Sequence, residues 1–196
     1  MATTQDEPET QTPPTQTEIE SRSDVEGGEG PWTLTAPQTT ILLTHAPLSS
    51  TWALDAVRSP EAGALVLFAG TTRAHFAGRR VRSLRYESYV PLALRTMLSV
   101  AERARDAHDL LGVAVAHRLG DVPVGEESVL IAVAAAHRGP AWRAGEEVLE
   151  DVKANVEVWK FEEFEDGGGV WRANRDGAVG VRVDDGEGKD GGVEGA

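Results

Sequence analysis

The stretch "ESVLIAVAAAHRGPAWRAGEEVLEDVKANVEVWKFEEFE", residues 127–165, contains a predicted strand, helix and strand in succession. Residues 127–137 form a nearly continuous apolar run, which is typical of a buried strand. The segment 140–154 has proline at its start, where a helix tolerates it, and predicts a helix. Apolar and aromatic residues between 156 and 165 predict another strand. This succession indicates a domain that mixes helices with strands.

The same alternation extends to both sides of this stretch. Leu94, Leu98 and Ala101 recur at helical spacing in the segment 91–112, which predicts a helix that ends at Gly112. A shorter helix is predicted at 49–59, and further strands at 39–45, 63–73, 79–89, 113–120 and 170–174. The predicted order is β-α-β-β-α-β-β-α-β-β, which places the chain in the α+β class as a single mixed domain.

The formal net charge of −13 lies mostly at the two ends of the chain. Residues 1–38 are rich in Thr, Gln, Glu and Pro, and residues 184–196 are rich in Gly and acids. Such segments bury too little apolar surface to offset the entropy lost on ordering, so we predict two disordered acidic tails around a domain at 39–183. The nearly neutral domain argues against nucleic-acid binding, which needs a broad basic surface.

Several other functions are excluded by composition. The sequence has no apolar run long enough for a membrane span and no secretory or mitochondrial targeting pattern, so a cytoplasmic location is expected. The chain has no cysteine, which excludes disulfides, thiolate ligands and a persulfide on the chain itself. The five histidines lack metal-ligand spacing, so we predict no metal and no cofactor.

Lysine is rare in this chain, and two of its three lysines lie close together. Lys153 and Lys160 are seven residues apart in an acidic segment, whereas the other cations are almost all arginines. A lysine amine can lose its proton and act as an acid, a base or a nucleophile, which arginine cannot do. The alternative is that both lysines are solvated partners of the neighbouring carboxylates.

Two further groups of polar residues follow buried strands. His137 and Arg138 lie where a strand ends and a helix begins, a position that suits a phosphate or another anion. Thr71, Thr72 and Arg73 follow the strand at 63–73 in the same manner. The alternative in both cases is that charged residues only mark the end of a strand or form a solvated face.

The full set of motifs resembles the large, catalytic subunit of molybdopterin synthase. The matching segments are "GALVLFAGTTR", "YESYVPLA", "HRLGDVPVGEESVLIAVAAAHRGPAW" and "VKANVEVWKFE", in this order between about Thr40 and Asn174. The resemblance implies the fold of that subunit, of the α/β hammerhead type. It also implies that the chain is a sulfurtransferase of molybdenum cofactor biosynthesis, which converts cyclic pyranopterin monophosphate into molybdopterin.

The resemblance also implies the partners of the chain. The sulfur would arrive as a thiocarboxylate on the C-terminal Gly-Gly of a small ubiquitin-like subunit. Large subunits would form a homodimer with one small subunit at each end, giving a heterotetramer. The absence of cysteine is consistent with this scheme, because the sulfur is then carried by another polypeptide.

The family's functional residues map onto positions of this sequence. The essential lysine corresponds to Lys153 and the second lysine to Lys160, both expected to be catalytic and to contact substrate. The remaining substrate-binding residues implied by the resemblance are His137, Arg138, Phe161, Glu162, Arg73, Thr71 and Thr72. In the family, the loop that contains Arg73 can serve the pocket of the neighbouring protomer.

The sequence departs from the family pattern at three positions, and two other functions remain open. Ala74 follows the loop arginine where Asn is common, Glu157 replaces a proline, and Phe161 replaces a lysine. A non-catalytic scaffold that binds the tail of a ubiquitin-like protein is one alternative function. A regulatory anion-binding domain unconnected to pterins is the other.

Overall fold

The computed structural model describes residues 30–173 and 180–183. The α+β class is confirmed, with three helices and eleven strands within these residues. The helices are α1 (Ser50–Val57), α2 (Val90–His108) and α3 (Arg138–Asn155). The strands are β1 (Trp32–Ala36), β2 (Thr39–Thr44), β3 (Ala64–Thr71), β4 (His75–Phe76), β5 (Arg79–Ser88), β6 (Gly112–Arg118), β7 (Gly120–Pro123), β8 (Glu127–Ala135), β9 (Val158–Phe164), β10 (Gly169–Ala173) and β11 (Val181–Val183).

Five strands form the first sheet, in the order β1-β2-β6-β8-β3. β2 and β6 are parallel, and the other neighbours are antiparallel. Side chains alternate between the two faces of each strand. On β8, Ile131 and Val133 therefore pack under α2 and α3, whereas Ala132 and Ala134 face α1. The sheet is covered by helices on both faces, which explains the apolar runs in its central strands.

The second sheet is built around β5 and β9. Its order is β11-β10-β9-β5-β4, and β7 pairs with another part of β5. Val81, Phe164 and Val170 form a small apolar cluster on this sheet. α3 begins after β8 of the first sheet and ends just before β9 of the second. This connection brings the end of α3 to the junction between the two sheets.

The boundary of the N-terminal tail is wrong for residues 32–36, which were predicted to be disordered. These residues form β1, which pairs with β2, and Trp32 and Leu34 are buried in the main core. The strand alternates apolar residues with threonines, so one face packs on α2 and the other is only partly covered. The rest of the predicted tails, at 1–29 and 184–196, lies outside the described residues.

Two other boundaries differ from the predictions. α2 ends at His108 instead of Gly112, because Asp109 takes a left-handed conformation with φ of 52° and its N–H bonds to the carbonyl of Arg105. Gly112 begins β6, where an added Cβ would lie 3.0 Å from the backbone of Val57. The segment between the strands predicted at 113–120 and 127–137 contains a further strand, β7. Among the described residues, no helix is long and apolar enough to cross a membrane.

Candidate active site

A cleft of about 430 Å³ lies where the end of α3 meets the two sheets. Its polar lining includes Thr71, Arg73, Lys153, Lys160 and Glu162, all of which were predicted as site residues. Its apolar walls are formed by Phe68, Phe76, Val81, Leu84, Val129, Leu149 and Val152. The structure therefore brings together both lysines, the loop arginine and a carboxylate.

Lys153 enters the cleft from the last turn of α3. Leu149, Val152 and Lys153 have helical i, i+3 and i+4 spacing, so they share one face of the helix and all line the cleft. Val152 is buried and anchors this turn in the main core. Lys153 itself is half-buried, which places its amine at the border between the apolar interior and the cleft.

Lys160 and Glu162 enter the cleft from β9. Being two residues apart on a strand, they lie on the same face of the sheet. Glu162 is 2% exposed, and its carboxylate oxygens lie 3.7 Å from the Lys160 Nζ atom and 3.3 Å from the Arg172 Nε atom. Arg172 comes from β10, directly opposite Lys160. The buried charge of Glu162 is therefore compensated by two cations.

Phe161 lies on the other face of β9 and does not line the cleft. Its ring contacts Trp171, with a centroid distance of 5.1 Å. A Cβ added to Gly169 would lie only 2.0 Å from the Phe161 ring, so the glycine allows this close approach. The prediction that Phe161 contacts substrate therefore does not apply to this cleft, because neighbouring residues of a strand face opposite sides.

The predicted loop residues have different environments. Thr71 and Arg73 are exposed at the mouth of the cleft, just after an irregularity in the pairing of β3. Thr72 is 2% exposed, and its hydroxyl donates a hydrogen bond to the carbonyl of Val122 at 3.3 Å. Thr72 thus fixes the loop to β7 and does not line the cleft.

His137 and Arg138 lie at the opposite end of α3 from Lys153. His137 is the N-cap residue of the helix, and both side chains are exposed. At about 1.5 Å per residue, Arg138 and Lys153 are separated by roughly 22 Å along the helix axis. Within one chain, the predicted phosphate-binding residues are therefore remote from the cleft that contains the lysines.

The floor of the cleft contains three polar residues that were not among the predicted site residues. Tyr86, His117 and Ser128 line the cleft and are almost fully buried. His117 was noted only as part of the "HRLG" motif. Tyr86 reaches Lys160 only through the pairing of β5 with β9. The tertiary pairing of strands, which local sequence patterns do not specify, creates this floor.

Burial controls the protonation of the floor residues. Burial lowers the pKa of His117 to about 4, and the hydrogen bond of Nδ1 to the Arg118 carbonyl, 2.8 Å long, opposes this shift. His117 is therefore neutral at physiological pH and carries its proton on Nδ1, the atom facing the carbonyl. Burial also raises the pKa of Tyr86, so its phenol stays protonated. The floor is neutral, whereas the mouth of the cleft is cationic.

Metal ligation receives no support from the described residues. Within residues 30–173 and 180–183, no group of three or more His, Cys, Asp or Glu side chains is arranged to hold a metal ion. The chemistry available in the cleft consists of cations that bind anions, an amine, and hydrogen-bonding groups on an uncharged floor.

The structure defines an α+β domain in which three cations, Arg73, Lys153 and Lys160, line one cleft at the end of the third helix. The sequence pattern of the family described as MoaE protein matches residues 43–155. The chain therefore belongs to the MoaE family.

Named relatives agree with this assignment. The molybdopterin synthase catalytic subunit of Neurospora crassa is 59% identical over 156 residues, covering 79% of this chain and 76% of the relative. That of Pyricularia oryzae is 58% identical over 145 residues, covering 74% of this chain and 80% of the relative. The crystal structure of molybdopterin synthase from Staphylococcus aureus has a TM-score of 0.64 at 29% identity, covering 66% of this chain and 94% of that chain.

Proposed function

We propose that this chain is the catalytic subunit of a molybdopterin synthase. It transfers sulfur from the thiocarboxylated C-terminus of a small ubiquitin-like subunit to cyclic pyranopterin monophosphate, forming the dithiolene of molybdopterin. The observation that carries this proposal is the convergence of Lys153, Lys160 and Arg73 on one cleft in a chain of the MoaE family. The names of relatives that are 58–59% identical support the same function.

The charges in the cleft suit this reaction. The sulfur donor and the phosphorylated substrate are both anions, and bringing them together requires nearby cations. Arg73 supplies a permanent charge at the mouth, and Lys160 supplies a second cation that Glu162 holds in place. Lys153 is the group that exchanges protons or forms a transient adduct, since a lysine amine can do either. Because the chain has no cysteine, the sulfur comes from the partner.

A homodimer explains the position of His137 and Arg138. These exposed residues lie roughly 22 Å from Lys153 along α3, too far to share a small substrate with it. They contact a substrate in the lysine cleft only if a second copy of the chain supplies them. We therefore place the phosphate-binding histidine and arginine of one protomer at the cleft of the other, within a heterotetramer that includes two small subunits.

Reconstitution tests the proposal directly. The protein is mixed with a thiocarboxylated small subunit and cyclic pyranopterin monophosphate, and molybdopterin is measured. We expect product with the thiocarboxylate and none with the ordinary carboxylate. A small subunit extended by one bulky residue beyond its terminal glycine should also fail, because the donor group must be terminal. Product formation with that extended subunit would contradict a thiocarboxylate donor.

The same assay separates catalysis from a scaffold role. We expect Lys153→Ala to abolish product formation and to retain binding of the small subunit. If Lys153→Ala forms molybdopterin at the wild-type rate, the cleft lysine is not catalytic and a scaffold becomes the better explanation.

A further inference from the structure

The tyrosine on the floor of the cleft has no role in the sulfur-transfer scheme. Tyr86 of β5 lies directly opposite Lys160 of β9, and Arg172 of β10 lies opposite Lys160 on the other side. Directly opposite residues in antiparallel strands share a face and have neighbouring side chains. Tyr86, Lys160 and Arg172 therefore form one row across three strands. Tyr86 is only 5% exposed, yet it lines the cleft.

Hydrogen bonds fix the Tyr86 hydroxyl and define what it can still bind. The hydroxyl is bonded to Ser128, whose Oγ atom donates to the carbonyl of Gly70 at 3.3 Å. A phenol offers one hydrogen and two lone pairs, and the bond with Ser128 uses only one of these positions. The phenolic oxygen therefore keeps at least one lone pair and can accept a further hydrogen bond from a ligand in the cleft.

The floor of the cleft around the Tyr86 ring is built from uncharged side chains. Its ring packs edge-on against the His117 ring, with centroids 4.9 Å apart and an interplanar angle of 72°. Phe68, Leu149 and Val152 form apolar walls beside this floor. Such a site suits a flat heterocycle with N–H groups at its edge better than it suits a phosphate, which matches the cationic mouth instead.

We propose that Tyr86 recognises the pterin ring of the substrate, its phenolic oxygen accepting a hydrogen bond from an N–H group on the pyrimidine edge of the ring. This inference rests on the proposed function and adds a recognition residue to it. The pyrimidine edge of a pterin presents an amino group beside a ring N–H, and both are donors. Lys160, the neighbour of Tyr86 in the row, then lies next to the ring and binds anionic groups attached to it.

The matched control for Tyr86 is the other tyrosine of the chain. Tyr89 is 62% exposed and does not line the cleft. Both Tyr86→Phe and Tyr89→Phe delete one phenolic oxygen. Binding of unsubstituted pterin is measured by the quenching of its own fluorescence as full-length protein is added. Tyr86→Phe should bind pterin about fivefold to tenfold more weakly than wild type, the loss expected for one neutral hydrogen bond, and Tyr89→Phe should match wild type.

Inorganic phosphate serves as the second ligand. Its affinity, measured by calorimetry, should be the same in wild type and Tyr86→Phe, because the tyrosine recognises the ring. In turnover, Tyr86→Phe should raise KM for cyclic pyranopterin monophosphate and leave kcat unchanged, as expected when uniform binding is lost. If Tyr86→Phe does not fold, Ser128→Ala replaces it; loss of the group that fixes the hydroxyl should also weaken pterin binding.

The outcomes separate this inference from the proposed function. Equal pterin affinity in wild type and folded Tyr86→Phe overturns the inference, as does equal affinity in Ser128→Ala if that variant is needed. Molybdopterin formation by a wild-type protein that does not bind pterin also overturns it and leaves the proposed function intact. Absence of molybdopterin formation counts against the function, and the pterin titration still decides the role of Tyr86.

Discussion

The Nζ atom of Lys160 lies 3.7 Å from the Oε1 atom of Glu162, two residues further along the same strand. Glu162 is buried, and its other oxygen lies 3.3 Å from Arg172, so the carboxylate holds two cations at the wall of the cleft. Lys153 reaches the same cleft from a helix. Lys160 is therefore held by an ion pair on a strand, whereas Lys153 is positioned by a helix. We expect substitutions of the two lysines to have different effects.

Lys160 should behave as a cation that binds an anion. We expect Lys160→Arg to retain much more activity than Lys160→Ala, because arginine keeps a charge that can pair with both Glu162 and an anionic ligand. The measurement is molybdopterin formation at saturating and limiting substrate, with KM and kcat separated. Equal loss in both variants would indicate that Lys160 needs its amine and not only its charge.

Glu162 should contribute strongly to stability. Glu162→Ala leaves Lys160 and Arg172 side by side without their shared carboxylate. Because these partners are partly exposed, we expect the free energy of unfolding to fall by about 2–3 kcal/mol. Urea denaturation measures this decrease in the free energy of unfolding. Glu163→Ala is the matched control, since Glu163 faces the other side of β9 and pairs with the exposed Arg82. We expect Glu163→Ala to lower the free energy of unfolding by less than about 1 kcal/mol.

His117 should make stability depend on pH below neutrality. Its pKa is lowered to about 4 in the folded protein, against about 6.5 in an unfolded chain. The unfolded state therefore binds the proton first as the pH falls, and stability is lost between about pH 6.5 and pH 4. Over this range, the contribution of His117 lowers the free energy of unfolding by about 3 kcal/mol in total.

Urea denaturation at pH 7, 6 and 5 measures the contribution of His117. We expect the folded His117→Gln variant to show a shallower loss of stability over this range than wild type. His75→Gln serves as the control, because it removes an exposed histidine in place of a buried one. An identical pH dependence in wild type and His117→Gln would contradict the buried, neutral state of this histidine.

The N-terminal boundary can be tested by two deletions. A chain that begins at residue 30 keeps β1, whereas a chain that begins at residue 38 lacks it and leaves β2 as an edge strand. Trp32 and Leu34 are 7% and 8% exposed. Burial of such a side chain contributes roughly 1.5–3 kcal/mol, so the shorter chain should lose several kcal/mol relative to the longer one. Equal melting temperatures of the two chains would show that β1 adds no stability.

Local sequence patterns predicted most helices and strands of the fold, because the apolar residues of these elements form clear helical repeats or continuous apolar runs. The helix α2 has apolar residues at helical spacing, and the central strands β6 and β8 are almost entirely apolar. β1 was missed although Trp32 and Leu34 alternate with threonines, since its short signal lies next to a long polar segment. The end of α2 was misplaced because an aspartate, and not a glycine, takes the left-handed cap position.

The candidate site was predicted only where chemistry is visible in the sequence itself. Lys153 and Lys160 are conspicuous because lysine is rare in this chain, and Arg73 because it follows a buried strand; all three line the cleft. Tyr86 lies far from Lys160 in the chain, and only the register of β5 with β9 makes them neighbours. The separation of His137 from Lys153, by contrast, follows from spacing alone, because the two residues lie at opposite ends of the helix predicted at 140–154.

The comparison of arginine with alanine at position 153 is the most direct test of the proposed chemistry. If Lys153 supplies an amine that exchanges a proton or forms an adduct, then Lys153→Arg keeps the charge and loses the chemistry, because guanidinium does not release its proton. Both Lys153→Arg and Lys153→Ala should lose at least roughly 10²-fold in single-turnover molybdopterin formation. Circular dichroism should show both variants folded, and both should still bind the small subunit. Turnover near the wild-type rate in folded Lys153→Arg would reduce Lys153 to a fixed charge and contradict this mechanism.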